Sequence, residues 1–308
     1  MIMPEPLTFT RLRGSLLRDA PLARHTTWRT GGHADLLYAP ADRDDLADFL
    51  RWLPAAEPVT VIGLGSNVLV RDGGVRGVVI LMHDPGAALA VADGLVYAEA
   101  GAAAPKLARF AAIHGCADAE FLAGIPGTVG GALAMNAGCY GGETWEHVAR
   151  VETLSRDGSF DILLPSDFSI GYRSVARRDG SALAEIFTAA WFRFPQDDTG
   201  SARMRIKALL AKRVATQPLA LPNAGSVFRN PPGDHAARLI ESCGLKGYSI
   251  GGAHVSRKHA NFIVNPERRG RAADIEALIA HVRETVRGVT GIDLEAEVRI
   301  IGEAEANA

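Results

Sequence analysis

The segment from Gly124 to Gly142, GIPGTVGGALAMNAGCYGG, constrains the fold of this chain more than any other. Seven of its residues are glycine, and most of the others are small and apolar. Because glycine has no Cβ and adopts positive φ readily, such a run lets main-chain N–H groups come close to phosphates or to a flat ring system. The alternative interpretation is a tight Gly-Ala turn that packs two structural elements together.

A second glycine-rich loop favours a bound nucleotide. Residues 59–67 read VTVIGLGSN, so a β-branched run leads into Gly63, Gly65, Ser66 and Asn67. This pattern predicts a strand that ends in a turn able to wrap a pyrophosphate. A GxGSN loop alone is a weak signal, but the two loops together indicate a dinucleotide held between two lobes.

Composition narrows the class of protein. The chain has 308 residues, of which 47% are hydrophobic, with 33 basic against 35 acidic side chains, which suits two or three domains. Only five residues are Lys and no basic cluster occurs, so we expect no nucleic-acid partner. We expect no leader peptide, because residues 1–10 lack a basic region followed by an apolar stretch, and no membrane span, because Asp93 and Glu99 interrupt the apolar stretch 87–104. We expect a cytoplasmic protein with neither a membrane nor a protein partner.

The cysteine and histidine patterns do not predict a metal site. Cys116, Cys139 and Cys243 are odd in number, far apart and without a CxxC motif, so we expect small buried side chains instead of a disulfide framework or a thiolate site. The spacing of His254 and His259 fits neither an i,i+4 pair on a helix nor a common zinc motif.

Hydrophobic periodicity predicts an α+β chain in three parts. The first part, 1–82, is an α/β lobe with a helix over 42–53 and strands over 59–63, 67–71 and 76–82. The second, 83–204, is rich in strands, with a helix near 104–115. The third, 205–292, begins with a helical run to Gln217 and a junction rich in Pro and Asn. After the junction we expect helices near 234–242 and 272–288 and strands near 249–255 and 260–264. We expect the C-terminal strand, 293–308, to join the first lobe.

The last strand alternates in character. Apolar Leu294, Ala296, Val298 and Ile300 alternate with Asp293, Glu295, Glu297 and Arg299. Period-2 geometry places the charged residues on one face. The simplest interpretation is a half-buried sheet with one solvated face.

Seven motifs, in this order, resemble the UDP-N-acetylenolpyruvoylglucosamine reductase (MurB) family over nearly the whole chain. They are HTTWRTGGHAD (25–35), VIGLGSN (61–67), GIPGTVGGALAMNAGCYGGE (124–143), GYR (171–173), GSVFRNPPG (225–233), LKGYSIGGAHVSRKHANFIVN (245–265) and LEAEVRIIGE (294–303). The compact length and the KHA at 258–260 resemble the short form of the family. The resemblance implies the two-lobed FAD-binding fold of the vanillyl-alcohol-oxidase type, with a smaller α/β substrate-binding domain. It also implies reduction of UDP-N-acetylglucosamine enolpyruvate to UDP-N-acetylmuramate for peptidoglycan precursor synthesis, with non-covalent FAD and with NADPH as co-substrate.

The resemblance implies three catalytic residues whose chemistry suits the reaction. An enol ether resists hydride unless charge is drawn into its carboxylate, and the planar guanidinium of Arg173 can bind a carboxylate bidentately. Ser226 matches the proton donor to the α-carbon, because a carbanion is basic enough to take a proton from a neutral hydroxyl. Glu297 matches the acid that stabilises the same intermediate, and burial would raise its pKa for that purpose.

The resemblance also implies binding residues. The substrate-binding positions are Tyr172, Lys246, His259 and Arg299. The cofactor-binding positions are Gly63, Gly65, Ser66, Asn67, Gly124, Ile125, Pro126, Gly127, Thr128, Gly130, Gly131, Asn136, Ala137 and Gly138. Because no Rossmann GxGxxG followed by an acidic residue occurs, NADPH and the sugar nucleotide are expected to use one site in turn.

Two other functions stay open. One is another FAD-dependent oxidase or dehydrogenase of the same superfamily, since RTGGH (29–33) resembles the loop of berberine-type oxidases whose His carries the flavin covalently; here that residue would be His33. The other is a nucleotide-binding homologue without catalysis. Retention of Arg173, Ser226 and Glu297 together argues against the second.

Overall fold

One helix covers a four-stranded sheet in the first lobe. In the computed structural model, which describes residues 12–305, the elements of this lobe are β1 (Ser15–Pro21), β2 (His33–Ala39), α1 (Arg43–Trp52), β3 (Val59–Ile62), β4 (Val68–Val70) and β5 (Val75–Leu81). The strand order is β1-β2-β5-β3, with β1 antiparallel to β2 and the other pairs parallel. Asp42 caps α1, which packs Leu46, Phe49 and Leu50 into the core. The helix and the three strands predicted between 42 and 82 are confirmed to within one residue at each end.

The second lobe is built on a five-stranded antiparallel sheet in the order β11-β10-β14-β7-β6. Its elements are β6 (Leu89–Ala92), β7 (Leu95–Glu99), α2 (Ala104–Ile113), α3 (Val129–Ala134), β8 (Gly138–Cys139), β9 (Gly142–Glu143), β10 (Val148–Leu154), β11 (Phe160–Leu163), β12 (Phe168–Gly171), β13 (Ser174–Arg177), β14 (Ile186–Phe192) and α4 (Ala202–Thr216). Helix α4 packs on α2 and on the short 3-10 helix Glu120–Gly124. It therefore sits on the second lobe, although the predicted boundary at 204 assigns most of it to the third part.

In the third part of the chain, helix α6 packs on a small three-stranded sheet and helix α5 packs on α6. Its elements are α5 (Ala236–Ser242), β15 (Ser249–Ile250), β16 (Ala253–Val255), β17 (Ile263–Val264) and α6 (Ala272–Thr290). The prediction of one strand over 249–255 is wrong, because the chain turns at Gly251, where φ is +52°. A Cβ at Gly252 would lie 2.4 Å from the Gly270 nitrogen, so this turn also allows a close main-chain approach.

The third part is fixed to the first lobe by several contacts. Trp28 is fully buried in the core of the third part, and its Nε1 donates to the Ile263 carbonyl at 2.8 Å. Arg71 forks onto the Glu276 carboxylate, with Nε and Nη2 contacts of 2.9 and 2.7 Å. Asp72 accepts hydrogen bonds from the first N–H groups of α6. These contacts hold the third part against the Trp28 segment and against the residues that follow β4.

The C-terminal segment joins the first lobe, but by a shorter strand than predicted. Strand β18 (Arg299–Ile301) pairs in parallel with β4. The prediction of a strand beginning at 293 is wrong, since the only strand-like pairing of residues 292–298 with the described chain is the isolated bridge between Ala296 and Phe228. Residues 306–308 of the predicted strand lie outside the described residues. No helix between residues 12 and 305 has the length and apolarity needed to cross a bilayer.

Candidate active site

A cleft of about 330 Å³ lies where the two lobes and the third part meet. It is lined by both glycine-rich loops, by the Arg173 loop, by the end of α4 and by the 224–230 segment. A second cavity of about 400 Å³ continues between the two lobes and shares Gly63, Thr128, Gly131 and Arg299 with the first. Because the two cavities share these residues, they adjoin, and together they offer more room for an extended ligand such as a dinucleotide than either does alone.

Main-chain donors from both glycine-rich loops face no acceptor in the protein. The N–H groups of Gly65, Ser66, Asn67, Gly127 and Thr128 donate to no group within residues 12–305, and all five residues line the cleft. Main-chain N–H groups in such loops form binding sites for anions. These loops therefore fit the pyrophosphate of FAD.

Glycine is required because the loops pass very close to neighbouring main chain. At Gly65, φ is +61° and a Cβ would lie 2.0 Å from the His25 carbonyl oxygen. A Cβ at Gly63 would lie 2.5 Å from Thr128 Oγ1, so the two glycine-rich loops almost touch. The HTTWRTGGHAD segment supports this turn, since Thr27 N–H donates to the Gly65 carbonyl at 3.0 Å.

Arg173 is held in one orientation by three acceptors. Its Nε donates to Glu297 Oε1 at 3.0 Å, Nη1 to the Asn136 carbonyl at 3.1 Å and Nη2 to the Gly138 carbonyl at 2.7 Å. Its main chain has φ of +55°, a conformation that a non-glycine residue adopts at a cost. A guanidinium has five N–H groups, so one on each terminal nitrogen makes no hydrogen bond to the described protein, although Nη1 also lies 3.9 Å from Glu143 Oε1. The side chain is only 14% exposed.

Glu297 is a largely but not fully buried acid beside this arginine. Its side chain is 17% exposed, so the interpretation of a solvated face is wrong at this position. Burial raises the pKa of Glu297, while the charges of Arg173 and Arg229 oppose the shift. Asn67 holds the main chain here, since its Nδ2 donates to the Glu297 carbonyl at 3.2 Å. The raised pKa favours the protonated form, which can donate a hydrogen bond to an anion.

The Ser226 hydroxyl lines the cleft and makes no hydrogen bond with any described residue. The adjoining main chain holds it in place. Val227 accepts from the Glu297 N–H at 2.8 Å, and the side chain of Asn261 bonds both the N–H and the carbonyl of Phe228, at 2.9 and 2.8 Å. Ser226 is thus presented to the cleft on a braced segment with its hydroxyl free.

The structure brings most of the predicted site residues together. Arg173, Ser226 and Glu297 all line the cleft, as do Tyr172, Arg299 and the predicted cofactor positions other than Gly130 and Asn136. Gly130 instead lies on the second cavity, where a Cβ would meet Ala100 Cβ at 3.0 Å.

Four predicted or alternative positions lie away from the cleft lining. Asn136 is 2% exposed, with its amide bonded to protein groups. Lys246 pairs with Glu241 at 2.6 Å, and neither Lys246 nor His259 lines the cavity. Their assignment to substrate therefore stays a prediction. His33 bonds Asp19 and does not line the cleft either.

Several cleft residues were missed by sequence reasoning. They are Arg213 and Gln217 at the end of α4, Asn230, Asn261 and Cys139. Arg213 donates to Gln217 Oε1 at 3.0 Å, and burial lowers its pKa. The expectation that all three cysteines are buried is wrong, since each is partly exposed. Asn230 and Asn261 lie in the motifs around Ser226 and His259, which could have pointed to them; nothing in the α4 sequence singles out Arg213.

Comparison with known proteins extends these observations. Residues 217–301 match the family described as UDP-N-acetylenolpyruvoylglucosamine reductase, C-terminal domain, and residues 34–161 match the FAD binding domain. A UDP-N-acetylenolpyruvoylglucosamine reductase of Nitrosospira multiformis is 54% identical, covering 96% of this chain and 91% of the relative. Another, of Thiobacillus denitrificans, is 54% identical and covers 96% and 94%. This chain belongs to the UDP-N-acetylenolpyruvoylglucosamine reductase family.

A solved member of the family shows the same fold. The crystal structure of the reductase (MurB) from Thermus caldophilus superposes with a TM-score of 0.76 at 32% identity, over 94% of this chain and 99% of that one. The predicted α+β class and two-lobed FAD-binding fold are confirmed. The match to the family's C-terminal domain includes Ser226 and Glu297, while Arg173 lies between the two matched regions.

Proposed function

We propose that this protein reduces the enolpyruvyl ether of UDP-N-acetylglucosamine enolpyruvate to the lactyl ether of UDP-N-acetylmuramate, at the expense of NADPH. The observation that carries the proposal is the meeting of Arg173, Ser226 and Glu297, from three separate segments, in a cleft lined by two glycine-rich loops. Residues of both loops would hold FAD through their free N–H groups. When bound, FAD supplies the hydride chemistry between NADPH and the substrate.

Arg173 would bind and polarise the substrate carboxylate. Its two free N–H groups can donate to that carboxylate while the other three hold the side chain in place. Drawing electron density into the carboxylate makes the β-carbon electrophilic, so that this carbon accepts the hydride and the C=C electron pair moves towards the carboxylate. An arginine fixed in advance needs little reorganisation as this charge develops.

Ser226 and Glu297 would complete the reaction at the α-carbon. The Ser226 hydroxyl has no partner in the described protein, so its proton is available to the carbanionic α-carbon, and solvent then restores the hydroxyl proton. Protonated Glu297 would donate a hydrogen bond to the same anionic intermediate. One hydride and one proton are thereby added across the double bond.

The charge of the cleft suits an anionic sugar nucleotide. Arg173, Arg213 and Arg299 line it, against the single acid Glu297. A diphosphate and a carboxylate are both attracted by such a field. The same positive charge would attract the phosphates of NADPH, which supports the proposal that NADPH and the sugar nucleotide use one site in turn.

The direct test is to mix the purified protein with NADPH and UDP-N-acetylglucosamine enolpyruvate and to follow absorbance at the NADPH band. We expect NADPH loss that depends on the substrate, and UDP-N-acetylmuramate as the product by mass spectrometry. A flavin-containing protein that oxidises NADPH at the same rate with and without the substrate would contradict the proposal and would favour an oxidase.

A further inference from the structure

Asn136 lies in the long glycine-rich loop but turns its side chain into the protein. It is 2% exposed and has φ of +40°. Its Nδ2 donates to Glu143 Oε2 at 2.8 Å and to the Gly171 carbonyl at 3.1 Å, and its Oδ1 accepts from the Trp145 N–H at 3.1 Å. All the hydrogen-bonding capacity of this amide nitrogen is used within the protein.

These bonds reach the Arg173 loop by two routes. The first runs through the side chain, because Gly171 is the last residue of β12 and precedes Arg173 by two positions. The second runs through the main chain, because the Asn136 carbonyl accepts from Arg173 Nη1 at 3.1 Å. Asn136 therefore fixes both the loop that carries Arg173 and one acceptor of its guanidinium.

We propose that Asn136 is a positioning residue for Arg173. Its hydrogen bonds hold the Arg173 loop against the glycine-rich loop and so set where the guanidinium meets the substrate carboxylate. The inference rests on the proposed function, in which Arg173 binds that carboxylate. The resemblance placed Asn136 among the cofactor contacts; the contacts of its side chain support the different role.

The chemistry of the site demands an asparagine. Two of the three side-chain partners of Asn136 are acceptors, the Glu143 carboxylate and the Gly171 carbonyl, so the residue must present an NH₂ group to both. An aspartate would place a carboxylate oxygen against both of these acceptors, so neither hydrogen bond could form. Asparagine is also among the residues that tolerate positive φ best.

The test is Asn136→Asp in the FAD-loaded protein, with the two half-reactions followed separately by stopped-flow spectroscopy. We expect flavin content and flavin reduction by NADPH to stay within about twofold of the parent protein, while reoxidation by the enolpyruvyl substrate slows by about tenfold to 10²-fold, as a small misplacement of a catalytic group does. Asn136→Gly, which suits the positive φ, should give the same pattern if Asn136→Asp does not fold.

Asn265→Asp provides the matched control. Asn265 is also fully buried, and its Nδ2 also donates to two carbonyls, those of Trp28 and Gly270, away from the cleft. We expect this variant to lower the melting temperature while leaving the ratio of the two half-reaction rates unchanged. If a general loss of packing caused the defect, Asn136→Asp and Asn265→Asp would change the two half-reaction rates in the same way.

A double-mutant cycle with Arg173→Ala decides whether Asn136 acts through Arg173. If it does, adding Asn136→Asp to Arg173→Ala slows reoxidation by less than about twofold further, because the group that it positions is already gone. Additive losses, or an Asn136→Asp defect in flavin content or in reduction by NADPH as large as that in reoxidation, would overturn the inference. Failure of the parent protein to be reoxidised by the substrate would instead refute the proposed function.

Discussion

At the scale of single residues, the proposed reaction needs an arginine, a free hydroxyl and a protonated acid in one place, and Arg173, Ser226 and Glu297 all line one cleft. Their catalytic roles stay predictions, which motifs in the sequence indicate. The acceptors around Arg173 could not be predicted, because two of them are main-chain carbonyls, of Asn136 and Gly138, whose direction depends on the local turn. Alternation in the last segment put Glu297 on a solvated face, whereas the bridge to the Ser226 segment buries it.

Arg173→Lys should separate the effect of bidentate hydrogen bonding to the substrate carboxylate from the effect of positive charge at this position. A lysine ammonium is a point charge and cannot contact Glu297, the Gly138 carbonyl and a substrate carboxylate in the same geometry. We expect flavin reoxidation by the substrate to slow by about 10²-fold or more, with reduction by NADPH little changed. Arg150→Lys is the control, since Arg150 stacks on Trp191, 4.5 Å from its ring centroid, and lines neither cavity. Equal rates for Arg173→Lys and the parent protein would argue against a bidentate role.

The buried acid predicts a dependence on pH. Because burial raises the pKa of Glu297, its protonated form persists to a higher pH than for an exposed glutamate and is lost as the pH rises through that raised pKa. If protonated Glu297 is the hydrogen-bond donor, the rate of flavin reoxidation falls across that range. Glu297→Gln, which stays neutral, should lack this descending limb in a plot of rate against pH. An identical limb in Glu297→Gln would assign it to another group.

At the scale of elements, the helix and strands between 42 and 82 were predictable, whereas the turns were not. Helix α1 and strands β3 to β5 were predicted to within one residue, because amphipathic spacing and β-branched runs specify them locally. The turn at Gly251 divided a predicted strand, and the close approach of the neighbouring Gly252 to Gly270 is a tertiary contact. The place of Arg213 in the cleft was likewise set by how α4 packs on the second lobe.

Gly127→Val should remove the flavin without unfolding the protein. A Cβ at Gly127 would come no closer than 3.4 Å to Ser66 Oγ, so a side chain is tolerated by the protein while it obstructs the cleft lining. We expect the flavin absorbance of the purified variant to be largely lost, with far-UV circular dichroism unchanged. Gly288→Val is the control, since nothing lies within 4 Å of its Cβ position on α6. Full flavin content in Gly127→Val would remove this loop from the cofactor site.

At the scale of the whole molecule, the site depends on how three parts meet. The cleft draws residues from both lobes and from the third part, so no part holds it alone. The division into three parts stays a prediction from the sequence, and the contacts between the parts could not be predicted, because Trp28 meets Ile263 across 235 positions of the chain. The order of motifs along the chain was sufficient for family membership, which depends on local patterns.

Trp28 should prove central to this arrangement. Trp28→Ala would leave a large cavity in the core of the third part, which we expect to cost about 3–5 kcal/mol in the free energy of unfolding. Trp28→Phe keeps most of the ring volume and loses the bond to the Ile263 carbonyl, so about 1–3 kcal/mol is expected. Urea unfolding of the flavin-free variants measures both. Equal values for the two would mean that the hydrogen bond, and not packing, holds the parts together.

The most direct test of the whole account is anaerobic stopped-flow spectroscopy of Ser226→Ala. In the proposed reaction, the Ser226 hydroxyl only delivers a proton to the substrate, so reduction of the flavin by NADPH should proceed at nearly the parent rate. Reoxidation by UDP-N-acetylglucosamine enolpyruvate should slow by at least about 10²-fold, as expected on losing a positioned general acid. A variant in which both half-reactions slow to the same extent would show that Ser226 organises the site instead of donating the proton, and would contradict the account.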